Sequence, residues 1–330
     1  MRVAAPLLIA IVSLLGLPSP DFADEGGGLR LASTVWPPFT DEADHPRFAL
    51  DLVHEALDRA GVAASSEMVE PADLIEDIRS GGYDGSAALW RDEDRESFLL
   101  YSDAYLENRL MLIGRKGGER PGGSFEGLTG KRVAIVQGYS YGDELEQTEG
   151  IVFVYGGDEG ENLRALLQDE ADYMLCDELV TRHMLENHRK EVQVYLEIGA
   201  SPLVTRSLHL AVRRDHPQAE QIVGAFNGQL IRMLSDGSYN RILGVSWIRA
   251  DVDGDGEMEL VLGGDNAGET PPDDGYAPMG QEKRDAAADG QRYVVGGKTY
   301  ESWDSIPDRY KSIDEDDPGR SSFDLFRFKF

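Results

Sequence analysis

Cysteine is nearly absent: Cys176 stands alone among 330 residues, which excludes an internal disulfide and leaves stability to the packed core. Positive charge is scarce as well. With 32 Lys and Arg against 61 Asp and Glu, the formal charge is -29; nucleic acid and anionic membrane surfaces are repelled and are excluded as partners. Past Leu17 no apolar run is long enough to span a bilayer, so an integral membrane protein is not expected once the leader is removed. That leader is the run from Val3 to about Leu17, preceded by Arg2, broken by Pro6 and followed by small residues around Ala23. It reads as a secretory signal peptide over residues 1–23, with a retained anchor helix as the alternative. No cysteine follows it, so a lipid anchor is not expected, and the implied location is the bacterial periplasm.

Hydrophobic residues make up 41% of the chain, enough for two domains and a tail. From Leu29 onward short apolar strands alternate with amphipathic helices, the rhythm of an α/β fold. LRLAST predicts a strand, PRFALDLVHEALDRAG a helix with Leu50, Val53, Leu57 and Ala60 at helical spacing, DLIEDIRSGG a short helix, and GSAAL and RLMLIGR further strands. A Gly/Pro-rich linker from Gly117 to Gly123 precedes a second α/β unit. That unit runs from KRVAIVQG through IVFVYG, ENLRALLQDE, ADYMLCD, ELVTRHMLENH and SLHLAVRR to the long helix AEQIVGAFNGQLIRMLSDG. Periodicity dissolves beyond Trp247.

The stretch from Gly82 to Tyr105 reads as a strand, a polar turn, a helix start carrying Arg95 and a second strand. An arginine at the lip of a sheet offers a carboxylate two parallel N–H groups, a geometry lysine does not copy. The plainer reading pairs Arg95 with Asp92 or Asp94 on the surface, with Asp92 as a helix cap. His183, His188 and His209 are not spaced as a metal pair; the first two lie five apart on one helix, about 140° off a shared face.

Several motifs then follow in a telling order: Trp36-Pro37-Pro38-Phe39, Phe48-Ala49-Leu50-Asp51-Leu52, Tyr83-Asp84-Gly85, Arg95, Tyr101-Ser102-Asp103-Ala104-Tyr105, the run Gly130 to Gly138, the strand Ala171 to Asp177, and Leu234 to Tyr239. In that order they resemble the family 3 extracellular solute-binding proteins, the type II periplasmic receptors of polar amino-acid ABC importers. The resemblance covers about 29–248. It implies a two-lobed α/β fold with hinge strands, lobe 1 at 24–112 and 205–248, lobe 2 at 113–204. Closure of such lobes expels water and strengthens each charged contact inside. The resemblance further implies that Arg95 grips a carboxylate while Asp177, from the opposite lobe, accepts an ammonium; as a plain helix cap Asp177 would do neither. Ser140, in the Gly138-Tyr139-Ser140 turn, is either a donor to an anion or a cap. Trp36, Trp90 and Tyr139, with Tyr141, are either pocket walls or packing. One departure stands out: Trp90-Arg91-Asp92 replaces the family's Ser-x-Thr, exchanging a hydroxyl for bulk and two charges, and Arg91 either suits a second acidic group on the ligand or points into solvent.

The tail carries a second signal. Asp251, Asp253, Asp255, Glu257 and Glu259 surround Gly254 and Gly256 in a DxDxDG pattern, with oxygen ligands and a glycine turn where a Ca²⁺ loop needs them. Position 12 is Leu262, not the glutamate of an EF-hand, which favours a structural loop over 249–268. Residues 269–290 read as a flexible acidic linker and 291–330 as a small module ending in the strand-like FDLFRFKF. Together these features point to a monomeric periplasmic receptor that captures a small polar carboxylate-bearing solute for an ABC permease, without catalysis. A ligand-sensing envelope adaptor and a dehydratase-like enzyme on the same fold are the rival readings.

Overall fold

The computed structural model describes residues 28–187, 194–279 and 291–311. The expected signal peptide, His188, the later part of the expected linker and the closing FDLFRFKF lie outside the described residues. The first half of the body contains β1 (Leu29–Ser33), α1 (Phe48–Arg59), β2 (Ala64–Met68), α2 (Leu74–Arg79), β3 (Gly85–Trp90), β4 (Leu99–Tyr101) and β5 (Leu106–Arg115). The second contains β6 (Arg132–Val136), α3 (Asp143–Glu146), β7 (Val152–Gly156), α4 (Glu159–Leu167), β8 (Tyr173–Asp177), α5 (Glu178–Asn187) and β9 (Leu196–Ile198). The chain then returns through β10 (Val204–Arg213), α6 (Ala219–Asp236) and α7 (Ser238–Leu243).

Strand order explains the two-lobed shape. The sheet runs β2-β1-β3-β10-β5-β8-β6-β7, with β4 beside β10 and β9 beside β5. β1 is parallel to β2 and β3, and β6 is parallel to β7 and β8. Between these parallel sets lie β10 and β5, paired antiparallel from Val204↔Leu110 to Leu208↔Leu106. Those two strands, ten residues each, are the only strands that connect the halves within the described sheet, and every relative movement of the halves must bend them.

Each half is closed by helices whose sequence dictates the buried face. In α1 the residues Phe48, Leu52, Val53, Ala56 and Leu57 are buried on one stripe, each large one contributing about 1.5–3 kcal/mol of burial. Arg59 ties the end of that helix to Glu55 at 2.7 Å and to Asp236 at 2.6 Å. Gly85 is required by proximity, since a Cβ there would stand 2.0 Å from the Ala211 carbonyl of β10. β2 has the sequence ASSEM and shows no apolar alternation, because its side chains are at most half-buried at the sheet edge.

The tail departs from the expected loop, linker and module. β11 (Trp247–Ala250) and β12 (Glu259–Leu262) form a hairpin around the acidic loop, β13 (Tyr293–Val295) joins β12 in parallel, and β14 (Lys298–Tyr300) completes a four-stranded sheet. Residues on both sides of the expected linker therefore share one sheet. The segment 274–279 is also docked, not free. Tyr276 pairs with Ile248, the Pro278 carbonyl accepts from Glu107 N at 2.6 Å, and the Ala277 carbonyl accepts from Arg109 Nη2 at 2.5 Å. The Arg109 guanidinium lies 5.4 Å from the centre of the Tyr276 ring. The tail thus bears on β5, one of the two connecting strands. Tyr276→Ala should lower global stability by about 2 kcal/mol in urea denaturation; an unchanged midpoint and slope would mean that this segment contributes no packing to the body.

Candidate functional site

Parallel strands deliver a set of side chains to one edge of each half. Trp36 follows β1, Trp90 ends β3, Tyr139 and Ser140 follow β6, Glu159 opens α4 after β7, and Asp177 ends β8. The crevice outside the carboxyl ends of parallel strands is where ligands settle in open α/β sheets, because rigid strands there hold loops free to vary.

The halves touch through aromatic rings. Trp36 and Trp90 come from the first half, Tyr139 and Tyr141 from the second. Centroid separations are 5.7 Å for Trp36–Trp90, 5.8 Å for Trp36–Tyr139, 5.5 Å for Trp90–Tyr139 and 5.6 Å for Trp90–Tyr141, all edge-on. Edge-to-face pairs at such distances add about 0.5–1.5 kcal/mol each beyond area burial. Polar contacts accompany them. The Ser140 hydroxyl donates to Asp92 Oδ2 at 2.6 Å, joining the two halves, and Asp92 Oδ2 also lies 3.7 Å from Arg95 Nε. Burial works to raise the Asp92 pKa, but the Ser140 hydroxyl, Arg95 and two backbone N–H groups outweigh it and hold the carboxyl below its usual value.

A second chain of bonds crosses the floor. The Trp90 indole N–H donates to Asn108 Oδ1 at 2.6 Å, and Asn108 Nδ2 donates to Asp177 Oδ2 at 3.1 Å. Asp177 Oδ1 accepts from Leu179 N at 2.7 Å and Val180 N at 3.2 Å. Asp177 is therefore a helix cap as well as a cleft residue, and it is buried. Burial pushes its pKa up to about 7 against those backbone and Asn108 donors. Glu159 behaves alike: burial pushes it up to about 7, with its own N–H, the Trp36 indole and the Tyr139 hydroxyl pulling the other way and Asp158 adding to the rise.

Of the residues expected from sequence, the structure brings Arg95, Ser140, Trp36, Trp90, Tyr139 and Asp177 to this edge. Arg95 is already turned toward Asp92, in a partly buried pair and not the surface one. Arg91 takes the other of its two readings: it follows the last residue of β3, is mostly exposed and pairs with Glu96 at 2.5 Å, so it faces solvent and not the cleft. Two cleft residues were not foreseen. Asn108 sits between Glu107 and Arg109 at the polar start of β5, where nothing in the sequence singles it out; Glu159 at a helix start looks like ordinary dipole complementation. In the tail, Asp251, Asp253 and Glu259 offer oxygens within 4.8 Å of one another. Asp255 and Glu257 lie instead by Arg292, at 2.8 Å and 3.8 Å, and Arg292 also pairs with Asp253 at 3.4 Å and with the buried Glu259.

Residues 30–248 match the bacterial extracellular solute-binding proteins, family 3. The chain belongs to that family. Among curated relatives, this family 3 protein is 32% identical over 128 residues to the membrane-bound lytic murein transglycosylase F of Pseudomonas putida, a match covering 37% of this chain and 26% of that protein; it spans about a quarter of that relative's length. It is 22% identical over 259 residues to the L-cystine-binding protein TcyJ of Escherichia coli, covering 74% of this chain and 94% of the other. Two solved structures share its fold. A mutant of ArgBP from T. maritima is 24% identical with a TM-score of 0.55, covering 66% of this chain and 93% of that one. The GluR0 ligand-binding core from Nostoc punctiforme in complex with L-glutamate is 23% identical with a TM-score of 0.55, covering 65% and 96%. No helix among the described residues is long and apolar enough to cross a membrane.

The two raised carboxyl groups make a pH prediction for the solute-free protein. A carboxyl whose folded pKa stands above its unfolded value stabilises the fold below the unfolded pKa and loses that contribution as pH rises through the folded one. Stability should fall between about pH 5 and pH 8, where general repulsion in so acidic a chain also grows. Glu159→Gln isolates the site's share, and its melting temperature should decline less steeply over that range than the parent's. Parallel pH profiles would contradict a desolvated Glu159.

Proposed function

We propose that this chain is a periplasmic receptor that captures a small polar, carboxylate-bearing solute and delivers it to an ABC permease as a monomer, without catalysis. The observation that carries the reading is the placement of Arg95, partly buried, at the strand-end edge beside Asp92 and Ser140, where the two halves meet. A solute carboxylate entering there would compete with Asp92 for the guanidinium and take two parallel N–H bonds. Closure over it would exclude water and strengthen that contact. Family membership and the two-lobed fold support the reading. A thermal-shift screen of amino acids and dicarboxylates tests it: a solute at 100 times its Kd should add about 2.7 kcal/mol of stability, and Arg95→Ala should abolish the shift. A shift unchanged in Arg95→Ala would place the solute elsewhere.

For the tail we propose a structural Ca²⁺ site in the acidic loop, with Asp251, Asp253 and Glu259 as ligands supported by their grouped oxygens and by the suitability of hard carboxylate donors. Arg292 is the cation it would displace. Millimolar CaCl₂ should raise the melting temperature of the parent and not of Asp253→Ala. An equal response in both would remove the site.

A further inference from the structure

Inside the cleft two carboxyl groups, Glu159 and Asp177, form no ion pair with any described arginine or lysine. The guanidinium groups around them are taken: Arg95 by Asp92 at 3.7 Å, Arg109 by Glu107 at 3.2 Å and Glu178 at 3.6 Å, Arg182 by Glu178 at 2.5 Å, and Arg206 by the Tyr141 carbonyl. With Asp92 and Arg95 paired, no described cation supplies a countercharge to Glu159 and Asp177. A carboxylate kept out of water without a partner is costly, and structures retain one where something else supplies the countercharge.

The rings add a second, independent observation. Trp36, Trp90, Tyr139 and Tyr141 meet edge-on across the halves, so parting the halves uncovers aromatic faces, which carry the negative side of the ring quadrupole and attract cations. Trp36 is buried, and Glu159 lies beside its indole nitrogen.

We propose that the cleft selects a cationic solute, one whose ammonium or guanidinium group is received by the Glu159 carboxylate among the rings of Trp36, Trp90 and Tyr139. The inference rests on reading the cleft as a solute receptor with Arg95 as its carboxylate anchor, and it adds the charge of the solute's other end. Glu159 is then a specificity-determining residue that discriminates by the charge of the solute.

Titration calorimetry with L-arginine, L-lysine, L-glutamine and L-glutamate, on the parent and on Glu159→Gln and Tyr139→Leu, tests this. L-arginine or L-lysine should bind at least about tenfold more tightly than L-glutamine, with L-glutamate weakest. Glu159→Gln, which keeps size and hydrogen-bonding capacity, should remove most of that preference. Tyr139→Leu keeps the carboxylate and removes a ring, and should weaken the cationic solutes more than L-glutamine. If L-glutamine or L-glutamate binds as tightly as the cations, or if Glu159→Gln keeps the preference, the charge selection is overturned and the receptor reading stands. If none of the four binds at millimolar concentration, this inference falls, and the thermal-shift screen with dicarboxylates decides the receptor reading separately.

Discussion

The contact on which the rest depends is the seam of rings between the halves. Trp36 and Trp90 are buried against Tyr139 and Tyr141, and apolar area removed from water there is what holds the halves together in this structure. Everything polar in the cleft is organised around the seam. The Trp90 indole fixes Asn108, Asn108 fixes Asp177, and the Ser140–Asp92 bond joins the halves next to Tyr139. Such a contact can be exchanged for one with a solute because it is made of small increments, each comparable to a few times thermal energy.

The connecting strands and the tail set the terms of that exchange. β5 carries Asn108 on the cleft side and receives the tail through Glu107 and Arg109. Gly237 at the end of α6 adopts φ +74°, and a Cβ there would stand 2.4 Å from the Leu262 carbonyl of β12, so the tail sheet is fitted closely to the body. Asn240 seals the join with a buried bond to the Val261 carbonyl at 2.8 Å. The extension beyond the family's matched region is therefore continuous with the element that must bend, not an appendage on a free tether.

Much of this was legible in the sequence. Strands such as KRVAIVQG and ADYMLCD announce themselves because they are apolar runs buried on both faces, and the order of loose motifs located Arg95 and Asp177 at strand ends. The failures have physical causes. ASSEM lacks a period because an edge strand has no second buried face. Glu159 was missed because a glutamate in a helix's first turn has a sufficient local explanation, and only the fold reveals that it lies beside Trp36. Arg91 stayed open between cleft and solvent because which side of a turn a residue takes depends on where the strand stops. The parallel pairing of β13 with β12 joins short segments far apart in sequence, for which no local propensity exists.

Distance measurement across the seam tests the central claim most directly. Cys176 is buried and resists labelling, so spin labels at exposed positions Asp58 on α1 and Arg164 on α4 report the separation of the halves. The account predicts a distribution with a longer component in the absence of solute that collapses to a single short distance with saturating L-arginine. One narrow distance, the same with and without L-arginine, would mean that the rings form a permanent core and that no cleft opens between them.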